Sequence, residues 1–442
     1  MIQPNWVWAM VEIVVLTVVS MIGVHVFTAI GITAAVFLLL YKGFSLGLPH
    51  IGSTVWGWMY DYSLSMLPLF LLMGAWVEIA GLGKDAYDAA MRWLVRLKGG
   101  LAMVSIAAVG LFGAVSGSGF AAVATIGGIG LPEMRRYGYS AALRTGAIVS
   151  GAMIDNLIPP SMFMVLYGIL TNESVGKMFI AGIVPGVVLV ILMMVEIYVW
   201  VSLRPADAPM LPREVHFTFM EKLKGSVTVI PIAIIFLFLI GGIYLEWFSP
   251  TEAAGMGAVS VLIVALVLRR MSWQNFNNGL VNSAKTTSML LIQVAGAFIF
   301  SETIAETRLA DIIANWMIAA NLSYIPLSYF FIIFMIIIGI PLEGVVMLIL
   351  FIVPIFYPIL QKIGPPMPGI WLGIMSVIVT SLAAVSPPIA ATLYLAQMID
   401  GKCSTAEVIK GSLPFYLVTL SLLVLLIHFP WLATWLPDKM LG

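Results

Sequence analysis

Apolar stretches about twenty residues long recur from one end of this 442-residue chain to the other. No other feature limits its fold as strongly. About twenty apolar residues are what a helix needs to cross a ~30 Å hydrocarbon core. In lipid each backbone N–H and C=O must find its partner within the protein, which a helix achieves inside its own segment. The runs fall near 6–22, 24–41, 64–81, 100–132, 142–171, 174–203, 226–247, 251–268, 279–301, 326–360, 367–398 and 411–436. Charged residues make up 10% of the chain, against about a quarter in a soluble domain. The expected class is therefore an all-α polytopic membrane protein.

Composition also excludes functions. The formal net charge is zero, so the basic footprint of a nucleic-acid binder is missing. A single cysteine, Cys403, rules out an internal disulfide framework. His25, His50, His216 and His428 are scattered without metal-ligand spacing, and no HExxH, Walker A, GxSxG or paired CxxC motif occurs. ATP-driven pumping by this chain itself is not expected, nor is a bound cofactor. The N-terminus carries no Lys or Arg ahead of its first apolar run, which predicts an uncleaved first span rather than a signal peptide. The stretch 82–99 is amphipathic and basic and suits a membrane surface. Trp56, Trp58, Tyr60 and Tyr62 read as interfacial anchors.

Two runs have the wrong length. Residues 100–132 would make one helix of about 50 Å, yet their middle is SGSG, 116–119. Residues 326–360 carry GIPLEG, 339–344, at their centre. Each is expected to be a re-entrant hairpin of two half-helices meeting at a polar turn; the alternative is a long kinked helix. Non-helical backbone at that depth must be buried in protein or face a wet cavity.

Lys and Arg placement gives the topology. Arg92, Arg96 and Lys98 precede hairpin one, and Arg135, Arg136 and Arg144 follow it, so both its feet are expected to be cytoplasmic. Five spans then separate it from hairpin two, which should enter from outside, where Arg308 and Lys362 are the only flanking charges of that sign. This arrangement puts 15 Lys and Arg inside and five outside, with Lys285 within a span.

A Pro-Pro segment follows each hairpin. DNLIPPSMFMV (155–165) holds Pro159 and Pro160, and VSPPIAATLYLA (385–396) holds Pro387 and Pro388. The Pro-Pro pairs are 228 residues apart, and the G-x-x-P motifs beyond them, at Gly182 and Gly411, are 229 apart. With an odd number of spans between the copies, the halves form an inverted repeat, as in secondary transporters. Proline removes an N–H and clashes with the carbonyl one turn back, so the pairs free backbone carbonyls at mid-depth. A bound cation can satisfy them. Ser116, Gly117 and Ser118 bring further oxygens from hairpin one; Gly339 to Gly344 with Ala383 to Ser386 repeat the arrangement. Half-helix N-termini facing the same space suit an anionic group.

SGSGFAAVATIGGIGLPEMRRYGYS, IPPSMFMVLYGILTNESVGKMFIAGIVPG, SPTEAAGMGAVSVLIVALVLRR and the second SPP break together resemble the large membrane subunit, of DctM type, of tripartite ATP-independent periplasmic (TRAP) transporters. The resemblance spans almost the whole chain. It implies an ion-transporter-superfamily fold with a scaffold and an elevator-type transport domain. It implies Na⁺-driven uptake of an organic anion such as a dicarboxylate or sugar acid, across the bacterial inner membrane. It also implies two partners: a DctP-type periplasmic binding protein and a DctQ-type four-helix membrane subunit, here expected as a separate polypeptide. Carried over by motif, the cation ligands include Ser116, Ser118 and the carbonyls of Asp155, Ile158 and Pro160, then Gly339, Glu343 and Ser386. Gly117, Gly151 and Gly344 complete the expected cation set, and Asn156, Pro159, Pro387, Pro388 and Thr392 the expected substrate cavity. The chain departs from the family pattern at Asp155, where a small residue is usual, and at Ala390 and Thr392 after the second break. Asp155 would ligate Na⁺ or carry a proton instead.

The expected organisation is N-terminal scaffold spans (1–81), a first repeat half (82–203), a cytoplasmic linker (204–225), further scaffold spans (226–301) and a second repeat half (302–442). A stand-alone Na⁺- or H⁺-coupled symporter or exchanger of the same superfamily is the alternative function. An intramembrane enzyme using Asp155 and Glu343 as an acid pair lacks a nucleophile, and its two acids lie in different halves.

Overall fold

The computed structural model describes residues 6–21, 26–210, 217–340, 342, 344–386 and 391–440, and among them it contains helices and no strand. Glu343, Pro387 and Pro388 lie outside the described residues. The chain opens with α1 (Trp6–Met21), α2 (Val26–Lys42), α3 (Phe44–Met59), α4 (Met66–Ile79) and the amphipathic α5 (Leu82–Leu94). Both long apolar runs are divided. The first becomes α6 (Gly100–Ser116) and α7 (Gly119–Arg136). The Pro-Pro segment beyond it becomes α8 (Ala141–Leu157) and α9 (Met162–Thr171), and α10 (Val175–Leu203) closes this half.

The linker holds α11 (Phe219–Ser226), started by a capping box of Thr218 and Glu221. After it come α12 (Ile230–Tyr244), α13 (Pro250–Val267), α14 (Trp273–Thr307) and α15 (Leu309–Ala319). The second long run becomes α16 (Tyr324–Gly339) and α17 (Gly344–Met347), which passes through a π-helical turn at Leu348–Phe356 into α18 (Tyr357–Ile363). Its Pro-Pro segment separates α19 (Pro368–Ala383) from α20 (Ala391–Asp400), followed by α21 (Thr405–His428) and α22 (Trp431–Asp438).

Among the described residues, eight helical stretches are long and apolar enough to cross a membrane. Several arms of the divided runs are not. At 1.5 Å per residue, the 17 residues of α6 and the 16 of α16 reach about 25 Å, and the ten of α9 and of α20 about 15 Å. Ends of short helices must therefore meet inside the protein, and small residues permit the close packing this requires. Gly146 on α8 lies against the backbone of Gly411 on α21, with no room for a Cβ on either. Gly296 of α14 approaches the Gly31 backbone on α2.

Three local readings are refined. Trp56, Tyr60 and Tyr62 are exposed, whereas Trp58 is half-buried and stacks on Phe298 of α14, centroids 3.6 Å apart. The amphipathic α5 buries Ala86, Tyr87 and Ala90 against α6. The helix expected from 279 begins at Trp273, because Ser272 accepts the Asn275 N–H and caps it there. At 35 residues α14 is about 50 Å long, and its first turns carry amides.

A buried ion pair joins the two halves. Arg144, in the first turn of α8, donates from Nε and Nη2 to the Asp400 carboxylate at 2.7 and 3.0 Å, at the end of α20. Its Nη1 also reaches the Tyr139 carbonyl, and Arg135 holds the Asp400 carbonyl. The Asp400 side chain has no exposure. Removing one member of such a pair strands a buried charge. The Asp400→Ala protein is expected to lose about 3–5 kcal/mol of stability, read as a lowered melting temperature in detergent. Burial pushes the Asp400 carboxyl up, but the hydrogen bond and charge of Arg144 outweigh it and hold the group below its ordinary value. This contribution is thus present above pH about 4 and fades as pH falls through the lowered folded value. Loss of the acid-side fall in melting temperature in Asp400→Ala checks that sign.

Candidate functional site

The SGSG turn is built by two residues with opposite needs. Gly117 adopts φ +66°, a left-handed conformation that glycine enters at little cost. Ser118 is extended, and its Oγ accepts the Ala121 N–H to start α7. The turn rests on the Pro-Pro break. A Cβ on Gly117 would stand 2.5 Å from the Pro160 carbonyl oxygen. At the break, Ile158 makes the last helical bond of α8, to the Ile154 carbonyl at 2.9 Å. Pro159 and Pro160 have no N–H to offer the carbonyls of Asp155 and Asn156 one turn back. The turn thus packs directly on the break, with the Pro160 carbonyl against Gly117.

Asp155 and Asn156 part ways. Asp155 is fully buried between α8 and α6; Ser116 Oγ donates to its Oδ1 at 2.7 Å, and a Cβ on Gly113 would touch the same oxygen. Its Oδ2 has no hydrogen-bond partner among the described residues. Asn156 points to the opposite side. Its Oδ1 accepts the Gly119 N–H at 3.3 Å, and its Nδ2 donates to Ser381 Oγ at 3.1 Å on α19. One amide therefore ties the tip of hairpin one to the second half.

Between these elements lies a cavity of about 450 Å³. Helix ends surround it. The first residues of α7 (Gly119, Phe120), α9 (Met162, Phe163), α17 (Gly344, Val345) and α20 (Thr392) line it. So do the last residues of α8 (Asn156), α16 (Gly339) and α19 (Ala383), together with Gly117 beyond α6. Helix N-termini present unpaired N–H groups and partial positive charge, C-termini the reverse. None of the described residues lining the cavity is charged, so these backbone ends and the hydroxyls of Ser118, Thr380 and Ser381 supply its polarity.

Of the residues expected at cation sites, Gly117, Ser118, Gly339 and Gly344 line the cavity. Ser116 and the Pro160 carbonyl stand immediately behind the tip. Gly151 lies elsewhere, since a Cβ on it would meet Val109; of Ile158 only the carbonyl is left for the site, its side chain packing on Gly110 and Gly186. Ser386 donates to the Leu382 carbonyl at 2.9 Å and lies 3.4 Å from the Tyr416 hydroxyl. Of the expected substrate-cavity residues, Asn156 and Thr392 line it, and Thr392 Oγ1 donates across the second break to the Ala384 carbonyl at 3.0 Å. Pro159 is in the first break but does not line the cavity.

Thr380, Ser381, Phe120 and Phe163 were not anticipated. A signal for the first existed. Ala152 and Thr380 both stand seven residues ahead of their Pro-Pro pair, Asn156 and Ala384 both stand three ahead, and all four line the cavity.

A family model described as tripartite ATP-independent periplasmic transporter, DctM component, matches residues 13–432. The chain belongs to the DctM family. It is therefore a transporter component and not an enzyme. A C4-dicarboxylate TRAP transporter large permease protein DctM from Pseudomonas aeruginosa is 32% identical over 93% of this chain and 94% of its own length. Its Vibrio cholerae counterpart is 29% identical over 95% of both. The 2,3-diketo-L-gulonate TRAP transporter large permease YiaN of Escherichia coli is 30% identical over 84% of this chain and 85% of its own length. Among solved structures, the Alcanivorax borkumensis YdaH transporter matches in fold, with a TM-score of 0.57 at 15% identity over 88% of this chain and 90% of that one. DctM membership and the run of apolar helices make this chain a multi-pass membrane protein of binding-protein-dependent secondary transport.

Proposed function

We propose that this DctM chain is the large permease of a Na⁺-driven importer in the bacterial inner membrane, taking a small organic anion from a periplasmic binding protein. The observation that carries the reading is the convergence of so many half-helix ends on one cavity, which has no charged group among its described lining residues. N-termini suit the substrate's carboxylate, and the carbonyls at the breaks with the Ser116 and Ser118 hydroxyls suit Na⁺. The Ser116 hydroxyl donates its hydrogen bond to Asp155, which leaves its lone pairs free for a cation. Two pseudosymmetric cation positions follow, one at Ser116–Ser118 with the carbonyls of Asp155, Ile158 and Pro160. The other is near Gly339, Glu343, Gly344 and Ser386.

The matched cavity positions ahead of the two Pro-Pro pairs support an inverted repeat, 82–203 against 302–442. In this reading the two halves, joined by the Arg144–Asp400 pair and the Asn156–Ser381 bond, travel as one elevator body. Residues 1–81 and 226–301 form the scaffold, with 204–225 as the cytoplasmic linker. A DctQ-type small subunit is the second partner. The relatives named for C4-dicarboxylates and a diketo sugar acid make carboxylates the first substrates to try.

The test is uptake of a labelled C4-dicarboxylate into proteoliposomes holding this chain, its small subunit and its binding protein. Uptake is expected only with an inward Na⁺ gradient and only with the binding protein. Uptake without the binding protein, or driven by a proton gradient alone, would favour a stand-alone carrier.

A further inference from the structure

A second space, of about 580 Å³, opens between α4 and α14 beside the tip of hairpin one. From α4 it takes Phe70, Gly74, Ala75 and Glu78, which follow one face of the helix. From α14 it takes Asn275, Asn278, Asn282 and Thr286, again one face, with Ser283 beside them. Its inner end is the hairpin itself, at Ser116 and Ser118. Leu71, Ser118 and Met162 line both this space and the central cavity, so the two meet at the proposed cation position.

The chemistry of the walls differs. Among the described residues, the central cavity has no charged lining group, whereas this vestibule has one, the Glu78 carboxylate. Three amides and two hydroxyls stand opposite it on α14. Gly74, one turn ahead of Glu78 and about 6 Å along the helix, lies against the Ser116 carbonyl. A carboxylate and several neutral oxygens between low-dielectric walls gather cations and repel anions. The nearby Arg270 does not cancel this, since both its Nη atoms donate to Asp85 and Nη1 also to the Ala80 carbonyl. Glu78 and Asn275 lie at the end of α4 and the start of α14, next in sequence to Lys84, Arg269 and Arg270, which the Lys and Arg distribution puts on the cytoplasmic side.

We propose that this vestibule is the cytoplasmic passage of the coupling cation, separate from the cavity that takes the organic anion, with Glu78 as its attracting group. The inference rests on the cation-coupled reading above. It gives a role to the amide stripe on α14, which would be a poor surface to leave against lipid.

The closing experiment reads the vestibule's charge selectivity directly, so it stands apart from any transport assay. Asn278→Cys is made in a Cys403→Ser background, the native thiol being buried. Its modification is timed with a trimethylammonium and a sulfonate methanethiosulfonate reagent applied from the cytoplasmic side. The cationic reagent is expected to react several-fold faster than its ratio with a free thiol predicts, and Glu78→Gln should remove that preference. In proteoliposomes several-fold more internal Na⁺ should be needed to inhibit uptake by Glu78→Gln, with the half-saturating substrate concentration unchanged. A cationic preference that survives Glu78→Gln, or a faster sulfonate reaction, overturns the passage. A wild type with cation-selective labelling but no Na⁺-dependent uptake instead overturns the coupling reading alone.

Discussion

Substrate uptake by Asp155→Ala is expected to fall at least tenfold at limiting Na⁺, equivalent to about 1.4 kcal/mol in the cation-bound state. The loss comes through Ser116. Its hydroxyl donates to Asp155 Oδ1, which fixes where its lone pairs point. Without that acceptor the hydroxyl rotates or turns its proton toward the cation. Asp155→Asn keeps an acceptor oxygen in place and removes the charge, so it separates the two roles. If Asp155 only orients Ser116, Asp155→Asn retains most uptake while Asp155→Ala does not. If its carboxylate binds the cation, both variants lose Na⁺ affinity together. Equal, wild-type half-saturation by Na⁺ in both variants would remove Asp155 from the cation site. Asp155 has no exposure, so monodispersity of each variant is checked first by size-exclusion chromatography.

Gly117→Ala is the second large effect. Its added Cβ would stand 2.5 Å from the Pro160 carbonyl oxygen. A left-handed φ costs an L-residue about 1–2 kcal/mol besides. The tip would have to lift from the break, separating the Ser116 and Ser118 oxygens from the released carbonyls. Uptake is expected to drop to background. Gly128, on α7 of the same hairpin, has open space where a Cβ would go, so Gly128→Ala is expected to transport as the wild type does. Full activity in Gly117→Ala would mean that the contact between turn and break plays no part in transport.

The positions of both interruptions could be read without coordinates. SGSG and GIPLEG sit in apolar runs too long for one span, and paired prolines cannot continue a helix whatever surrounds them. The common order and spacing of the two halves follow from the same residues. Local chemistry thus determined where helices end, because the energetic terms involved act within a turn or two of chain.

What those ends meet was decided by the tertiary structure alone. Asp155 and Asn156 are neighbours of similar polarity, yet one is sealed against Gly113 and the other reaches Ser381 on a helix more than two hundred residues away. About 100° of helical rotation separates their side chains, and only the packed neighbours determine which direction is wet. Gly151 and the Ile158 side chain lie within the same motif but face α6 and α10, where they serve packing. Asn275 and Asn278 stand ahead of the apolar run at 279–301; across from Glu78 they line a vestibule with Asn282. Sequence patterns determine helices and breaks because those depend on residues close in the chain. The cavity depends on which breaks are brought together, and that is settled by small residues such as Gly146 and Gly411 letting distant helices touch.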